Sequence, residues 1–337
     1  MLKIDIHTHI LPEKLPQWAE KFGYGGFVQL EHHKPCCAKM MLDDGTFFRE
    51  IESNCWDPKQ RMKECDALEV GVQVLSTVPV MFNYWAKPND TYDIARFLND
   101  HIAQIVHDHP TRFAGLATLP MQNTRLAIME LERVVNELHL SGIQIGSHIN
   151  NINLNDESLF PIFEKAQELN ACIFVHPWDM MGSRKLDKYW LAWLVGMPAE
   201  SSRAICSMIF GGVLEKLPKL KIAFAHGGGS FPATLGRIEH GFNVRPDLCA
   251  IDNHLSPRNY LKRIYVDSLV HDPHALKFLI DTFDVSQIAL GSDYPFPLGE
   301  HRPGELIQSL ELTKADRARL LHGTALEWLG KTIEDFM

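Results

Sequence analysis

Eight short apolar runs are spaced along the chain too widely to be hairpins. They are Leu2–His9, Val72–Thr77, Phe113–Leu119, Gly142–Gly146, Cys172–His176, Lys221–His226, Ile264–Asp267 and Ile288–Ser292. Near-continuous apolarity over so few residues marks strands buried on both faces, as in parallel sheets. Between them lie Lys59–Leu68, Asp90–Asp108, Thr124–Leu138, Asp156–Asn170, Ala199–Lys216 and Pro273–Phe283, whose apolar residues recur at helical spacing. Parallel strands need helical crossovers. Eight such alternations in 337 residues predict an α/β fold, a (β/α)8 TIM barrel. Asp90 and Asp156 are placed to act as helix N-caps.

Two stretches depart from the regular alternation. Residues 10–57 are too long for an ordinary strand-to-helix loop, so we expect an inserted lobe there, with Phe27–Leu30 and Thr46–Phe48 as its short strands. Pro177–Met197, after the fifth run, is also long and rich in Trp and Met. Both follow the C-terminal end of a strand, the face on which barrels build their sites. No repeat, low-complexity tract or linker interrupts the sequence. The expectation is one barrel domain over 1–337, with its insertion at about 10–57.

A net charge of −9 argues against nucleic acid or an anionic membrane as the main partner. It also means that local arginines must hold any anionic substrate. No apolar stretch is long enough to span a bilayer. Met1 runs directly into the first strand, so no secretory signal is expected. The seven cysteines are odd in number and lack Cys-x-x-Cys spacing, as expected of reduced thiols in a cytoplasmic protein. Cys36 and Cys37 stand near His32 and His33, but adjacent cysteines chelate a tetrahedral metal poorly.

The chemistry gathers at the strand ends. His7 and His9, two apart on one strand, share a face. His176 closes the fifth run, His226 the sixth, and Asp293 follows the eighth. One histidine ending a strand is commonly a structural hydrogen-bonder; four histidines and an aspartate at four strand ends point to a metal. Three neutral imidazoles and a carboxylate suit zinc, with cobalt, iron or manganese as possible substitutes. Asp5 shares the inward face one layer deeper and is expected to be a buried acceptor.

This order of ligands resembles the amidohydrolase superfamily. Many of its members bridge two metals with a carboxylated lysine or a glutamate at strand four. Here that strand reads Gly142-Ile143-Gln144-Ile145-Gly146, so we expect a single Zn2+ per subunit, with His226 as acid/base rather than ligand. Denser motifs resemble the family of α-amino-β-carboxymuconate-ε-semialdehyde decarboxylases. They are Phe22-Gly23-Tyr24-Gly25-Gly26, Cys55-Trp56-Asp57-Pro58, Thr77-Val78-Pro79-Val80-Met81-Phe82, His176-Pro177-Trp178-Asp179-Met180-Met181-Gly182, Trp193-Leu194-Val195-Gly196-Met197-Pro198-Ala199-Glu200, His226-Gly227-Gly228-Gly229-Ser230-Phe231 and Gly291-Ser292-Asp293-Tyr294-Pro295-Phe296-Pro297. The likeness runs from Lys3 to about Leu298; beyond it the helices are generic.

The resemblance implies zinc held by His7, His9, His176 and Asp293, with His226 moving protons. It implies substrate carboxylates on Arg49 and Arg237, the latter reaching across a homodimer interface. Trp193 and Phe296 would form an apolar wall, with Trp178 and Met180 close by. The implied reaction is non-oxidative loss of CO2 from 2-amino-3-carboxymuconate 6-semialdehyde, giving 2-aminomuconate 6-semialdehyde. In tryptophan catabolism by the kynurenine pathway this step limits quinolinate and NAD formation; in some bacteria it serves nitrobenzoate degradation. Two routes stay open: addition of a metal-activated water assisted by His226, or direct coordination of substrate with the metal as electron sink.

Other readings stand beside these. Arg49 and Arg237 could be surface arginines, on a par with Arg61, Arg96, Arg112 and Arg203, and the tryptophans could be packing residues. His148 and Asp179 could touch substrate or support the metal ligands. Gly227–Gly229 lacks the lysine and spacing of a nucleotide loop, and reads better as a tight turn near the metal. An amide or lactone hydrolase would use the same metal without releasing CO2, and a resorcylate decarboxylase would act on a stable ring. A purely structural zinc is disfavoured by the fifth group, His226, and by long loops over the same face.

Overall fold

The computed structural model describes residues 1–182 and 185–337. Eight parallel strands form its centre: Ile4–Ile10, Val72–Thr77, Phe113–Ala117, Gly142–Gly146, Cys172–His176, Lys221–Phe224, Ile264–Asp267 and Ile288–Ala289. They neighbour one another in chain order. The eighth returns to the first: Ile6 N–H donates to Leu290 O at 2.9 Å, Asp293 N–H to His7 O at 2.8 Å and His9 N–H to Tyr294 O at 2.8 Å. Each strand falls within one of the eight predicted apolar runs, except that the first continues one residue past its run to Ile10, and the fold is the expected TIM barrel.

Two apolar layers hold it. The outward residues, such as Ile143, Val175, Phe224 and Leu290, pack under the surrounding helices. An inner cluster joins Val74, Leu116, Phe174, Ala223 and Ala289 to Ile4, Ile6 and the late helical residues Trp328 and Leu329. Burying a side chain of this size contributes roughly 1.5–3 kcal/mol. Strand one slips register against strand two between Asp5 and Thr8, beside His7. Such a slip re-aims a side chain locally.

Residues 28–52 form a three-stranded antiparallel sheet, Val28–Lys34, Cys37–Leu42 and Phe47–Glu52. The two strands expected in the insertion are there, longer than expected, and Cys37–Leu42 lies between them. Ala38, Met40 and Ile51 pack with Phe27, Trp56, Val78, Met81 and Leu98, which fixes this sheet over the barrel mouth. Met40 pairs with Arg49, so the sheet presents Arg49 on a paired strand.

Three local expectations are corrected. The helix read as starting near Asp90 spans Pro88–Asp108, and Lys87 is its N-cap; the Asp90 carboxylate instead accepts the Tyr24 hydroxyl. Asp156 turns the chain by accepting Ser158 N–H, and the helix begins at Phe160. The stretch Ala199–Lys216 divides into Met197–Phe210 and Val213–Lys216, because Gly212 takes a left-handed conformation, φ 69°, between them.

Candidate metal centre

His7, His9, His176 and Asp293 converge at the C-terminal mouth of the barrel. One ligand atom from each lies within 4.8 Å of all the others. The three imidazoles are buried, and their rings pack edge to face at 5.1–5.2 Å between centroids. Nε2 of His7, of His9 and of His176 is buried without a hydrogen-bond partner among the described residues. The Asp293 Oδ1 approaches two of these nitrogens, at 3.4 Å from His7 and 3.1 Å from His9. Three orphaned acceptors around one carboxylate would be costly in an apo core. A metal ion satisfies all of them at once, so the residues present fit the group.

The opposite ring nitrogens explain why Nε2 is free. His7 Nδ1 faces Asp267 Oδ2 at 2.7 Å, His9 Nδ1 faces Thr77 O at 3.1 Å, and His176 Nδ1 faces Pro177 O at 2.9 Å. Each partner is an acceptor, so a proton on each Nδ1 leaves Nε2 as the atom for a metal. Against its burial, hydrogen bonds to Asp267 and Asp293 push His7 up to about 10, so an incoming ion would have to displace a second proton from its Nε2. Burial, then the charges of His9, His7 and His226, holds His176 well below the usual imidazole range. It is therefore neutral, the state a ligand needs. For Asp293, burial opposes ionisation, but His7 and His9 hold its carboxyl well below the usual range.

Asp267 ends strand seven and was not singled out from sequence. Besides facing His7, it accepts the backbone N–H groups of His226 at 2.9 Å, Gly227 at 2.8 Å and Leu269 at 3.1 Å. It thus ties the His-x-His strand to the turn that carries His226. That turn needs glycine. Gly229 sits at φ 62°, and a Cβ there would lie 2.3 Å from Pro198 O. The glycine run packs a tight turn, as read from its spacing.

His226 is not one of the four convergent groups, although its ring lies as close to two of them as they lie to one another. Its ring centroid is 5.2 Å from those of His7 and His176, and its Nδ1 is buried without a hydrogen-bond partner among the described residues. Burial, then the charge of His7, pushes it down to about 4. His226 and Asp293 both adopt left-handed backbone, φ 57° and 59°. Non-glycine residues rarely hold this conformation, which costs about 1–3 kcal/mol and clusters at functional sites.

A cavity opens over the convergent groups. It is lined by His9, His176 and Asp293 below, and by Arg49, Trp193, Trp178 and Phe296 among others above. The Arg49 guanidinium lies 4.4 Å from the Phe296 ring centroid and 5.2 Å from that of Phe48. Among the described residues no carboxylate lies within ion-pair distance of it, although burial lowers its pKa from the usual guanidinium value. Trp190 also lines the cavity.

Not every candidate is brought to this cavity. Met180 is buried against Gly196, outside the lining. Arg237 is exposed on the helix Phe231–Val244 and does not line the cavity of its own chain. His148 sits between the carbonyls of Asn150 and Asp179 and lines, with Asp179, a neighbouring pocket that shares Phe48 and Trp178 with the first. Asp5 is the expected buried acceptor, taking Ser292 N–H at 3.0 Å and the Ser292 hydroxyl. Gln144 accepts the Ser76 hydroxyl at 2.6 Å and donates to Thr77 O at 2.9 Å, which steadies the carbonyl that orients His9. Arg61 is no surface residue: it is fully buried and donates to Gln73 and to His9 O. His32 donates to Glu13 O while His33 approaches Glu50, so this histidine pair is spent on different partners.

A family model described as Amidohydrolase matches residues 4–331. A 2-amino-3-carboxymuconate-6-semialdehyde decarboxylase of Dictyostelium discoideum is 60% identical over 330 residues, spanning 98% of this chain and 92% of its own length. The protein of that name from Caenorhabditis elegans is 40% identical over 378 residues, spanning 97% and 94%. A solved dihydroxybenzoic acid decarboxylase from a Polaromonas species, with bound manganese and the inhibitor 2-nitroresorcinol, superposes with a TM-score of 0.78 at 21% identity. It covers 97% of this chain and 96% of that one, a likeness of fold.

Proposed function

The chain belongs to the amidohydrolase family, in its 2-amino-3-carboxymuconate-6-semialdehyde decarboxylase branch, and on that premise we propose how this carboxy-lyase works. Its substrate is 2-amino-3-carboxymuconate 6-semialdehyde; its products are 2-aminomuconate 6-semialdehyde and CO2. One Zn2+ per chain is held by His7, His9, His176 and Asp293. Three imidazole nitrogens and one oxygen suit a borderline-soft ion better than manganese, which prefers oxygen donors. When bound, the ion supplies Lewis acidity and lowers the pKa of water at the barrel mouth.

The protein groups do the rest. Arg49 clamps a substrate carboxylate, with its guanidinium plane set by Phe296. Trp193, Trp178 and Phe296 exclude water from the conjugated chain and hold it flat over the ligands. His226, through the unpartnered Nδ1, accepts a proton and returns it to carbon as CO2 leaves. Arg237 of a second copy completes the clamp in a homodimer, in keeping with its exposure and its absence from the lining of its own cavity. We read residues 1–337 as one barrel with a lobe at about 10–57 that serves to present Arg49. In a cell making the semialdehyde from tryptophan, this step draws it away from closure to quinolinate.

The single observation that carries the reading is a cavity lined by Arg49, which has no ion pair among the described residues, and by His9 and His176, whose orphaned Nε2 atoms converge with that of His7 on Asp293. The test couples metal analysis to CO2 trapping, with semialdehyde generated in situ from 3-hydroxyanthranilate. One CO2 per substrate consumed, dependent on added zinc, is the expected result. Bound zinc with no CO2 would move the search to hydrolytic substrates.

A further inference from the structure

The lobe strands Val28–Lys34 and Cys37–Leu42 are joined by the tight turn Pro35–Cys36. Cys36 is exposed, and its Sγ lies 3.4 Å from that of Cys37, close enough for one thiol to donate to the other. Cys37 is buried, and its contact with the Cys36 thiol, then burial, raises its pKa. Four of the other thiols are raised by burial foremost. Burial pushes Cys55 and Cys206 up to about 11, and Cys65 and Cys172 up to about 12, so they stay protonated and unreactive near neutral pH. Neighbouring Cα atoms are about 3.8 Å apart, below the usual disulfide span of about 4.4–6.8 Å. A bond between Cys36 and Cys37 would therefore close a strained ring, and strained disulfides are the readily reversible ones.

The turn is also wired to the substrate clamp. Cys36 O accepts Ser53 N–H at 2.8 Å, and Cys37 pairs with Glu52 at the end of the strand that carries Arg49. Twisting the Cys36–Cys37 peptide to join the sulfurs pulls on both contacts, which lie three and four residues from Arg49.

We propose that Cys36 and Cys37 are a thiol modification site, oxidised to a vicinal disulfide by low-molecular-weight disulfides, and that this oxidation loosens the sheet presenting Arg49. The Cys36 thiolate attacks one sulfur of the oxidant, forming a mixed disulfide and releasing one thiolate. Cys37 loses its proton and attacks Cys36 Sγ, forming the vicinal bond and releasing the second thiolate. Two electrons pass from the pair to the oxidant, and the two cysteine protons end on the released thiols.

The test uses the full, metal-loaded chain treated with oxidised glutathione. Mass spectrometry of the turn peptide is expected to show the loss of two hydrogens and no glutathione adduct. KM for the semialdehyde is expected to rise several-fold at little-changed kcat, with both effects reversed by dithiothreitol. Cys36→Ser should show neither change, and Cys249→Ser should retain both. Two free thiols after treatment, or a stable adduct on Cys36, would overturn the site; a formed bond that leaves KM unmoved would overturn its link to Arg49. The KM readout rests on the decarboxylase reading, whereas the mass readout does not. A bond formed in a chain without turnover supports the site and defeats that reading alone.

Discussion

The Nδ1 of His7 lies 2.7 Å from Oδ2 of Asp267, and both side chains are fully buried. This contact fixes which nitrogen of His7 is available, and the same carboxylate anchors the His226 turn. Asp267→Asn places an amide where a carboxylate accepted the proton. Metal affinity is expected to fall by about 10- to 100-fold, as for other partners of ligating histidines. Metal content after dialysis against a graded chelator measures it; wild-type retention would mean Asp267 serves only the turn.

His226 and His176 are expected to separate binding from chemistry. His226→Ala should keep its metal and lose about 10²- to 10⁴-fold in kcat, the range for a lost acid/base. His176→Ala should lose metal and turnover together. Paired metal analysis and CO2 release decide; a metal-free His226→Ala protein would show the two roles to be exchanged.

Arg49→Lys preserves charge but not the planar fork or its stacking on Phe296. We expect kcat/KM to drop by about 10- to 100-fold, from the weaker and less oriented carboxylate pairing. Steady-state kinetics at low substrate provide the check, and an unchanged kcat/KM would remove Arg49 from the clamp.

Arg237 lends itself to mixing. Arg237→Ala and His226→Ala chains should each be nearly inactive alone. If Arg237 reaches into a partner's cavity, a hybrid dimer holds one site with both groups intact, and activity returns on mixing after dissociation. No recovery, with hybrids shown to form, would confine Arg237 to its own chain.

Stability should fall on the acid side through His101. Burial pushes this residue down to about 4, and its Nε2 lacks a hydrogen-bond partner among the described residues. The unfolded chain binds this proton near pH 6.5 and the folded one only near 4. The neutral histidine's contribution is thus full above about 6.5 and is lost as pH falls to 4, about 3 kcal/mol in all. Urea unfolding of wild type and His101→Gln at pH 7.5 and 4.5 tests it: the wild type should lose more stability than the variant, and equal losses would rule His101 out.

The barrel and its four convergent groups were legible because buried parallel strands are written as apolar runs, and a histidine or aspartate closing such a run is conspicuous. Asp267 closes one too, yet nothing local distinguishes a residue that orients a ligand from one that caps a strand. Arg61 could not be read for a similar reason: its acceptors, Gln73 and His9 O, come together only when strands one and two pair. The middle lobe strand, Cys37–Leu42, was hidden because its sequence, Cys-Ala-Lys-Met-Met-Leu, lacks both polar alternation and the β-branched or aromatic residues that mark strands. The helix starts misplaced at Asp90 and Asp156 show aspartates finding other partners, Tyr24 and Ser158.

The seam between the first and eighth strands runs through the candidate metal centre: Asp293 N–H bonds His7 O, and the side chains of the same two residues face each other across it. The site therefore does not exist in any intermediate whose ring is still open. A ribosome-bound chain that has not yet released Asp293 can offer three histidines and no carboxylate. Once the ring shuts, an ion held by these residues would join both lips, and because it would favour only the shut form, it would deepen that state as its concentration rises. Metal uptake should thus act as a late proofreading step in assembly, with starved chains breathing first along this seam.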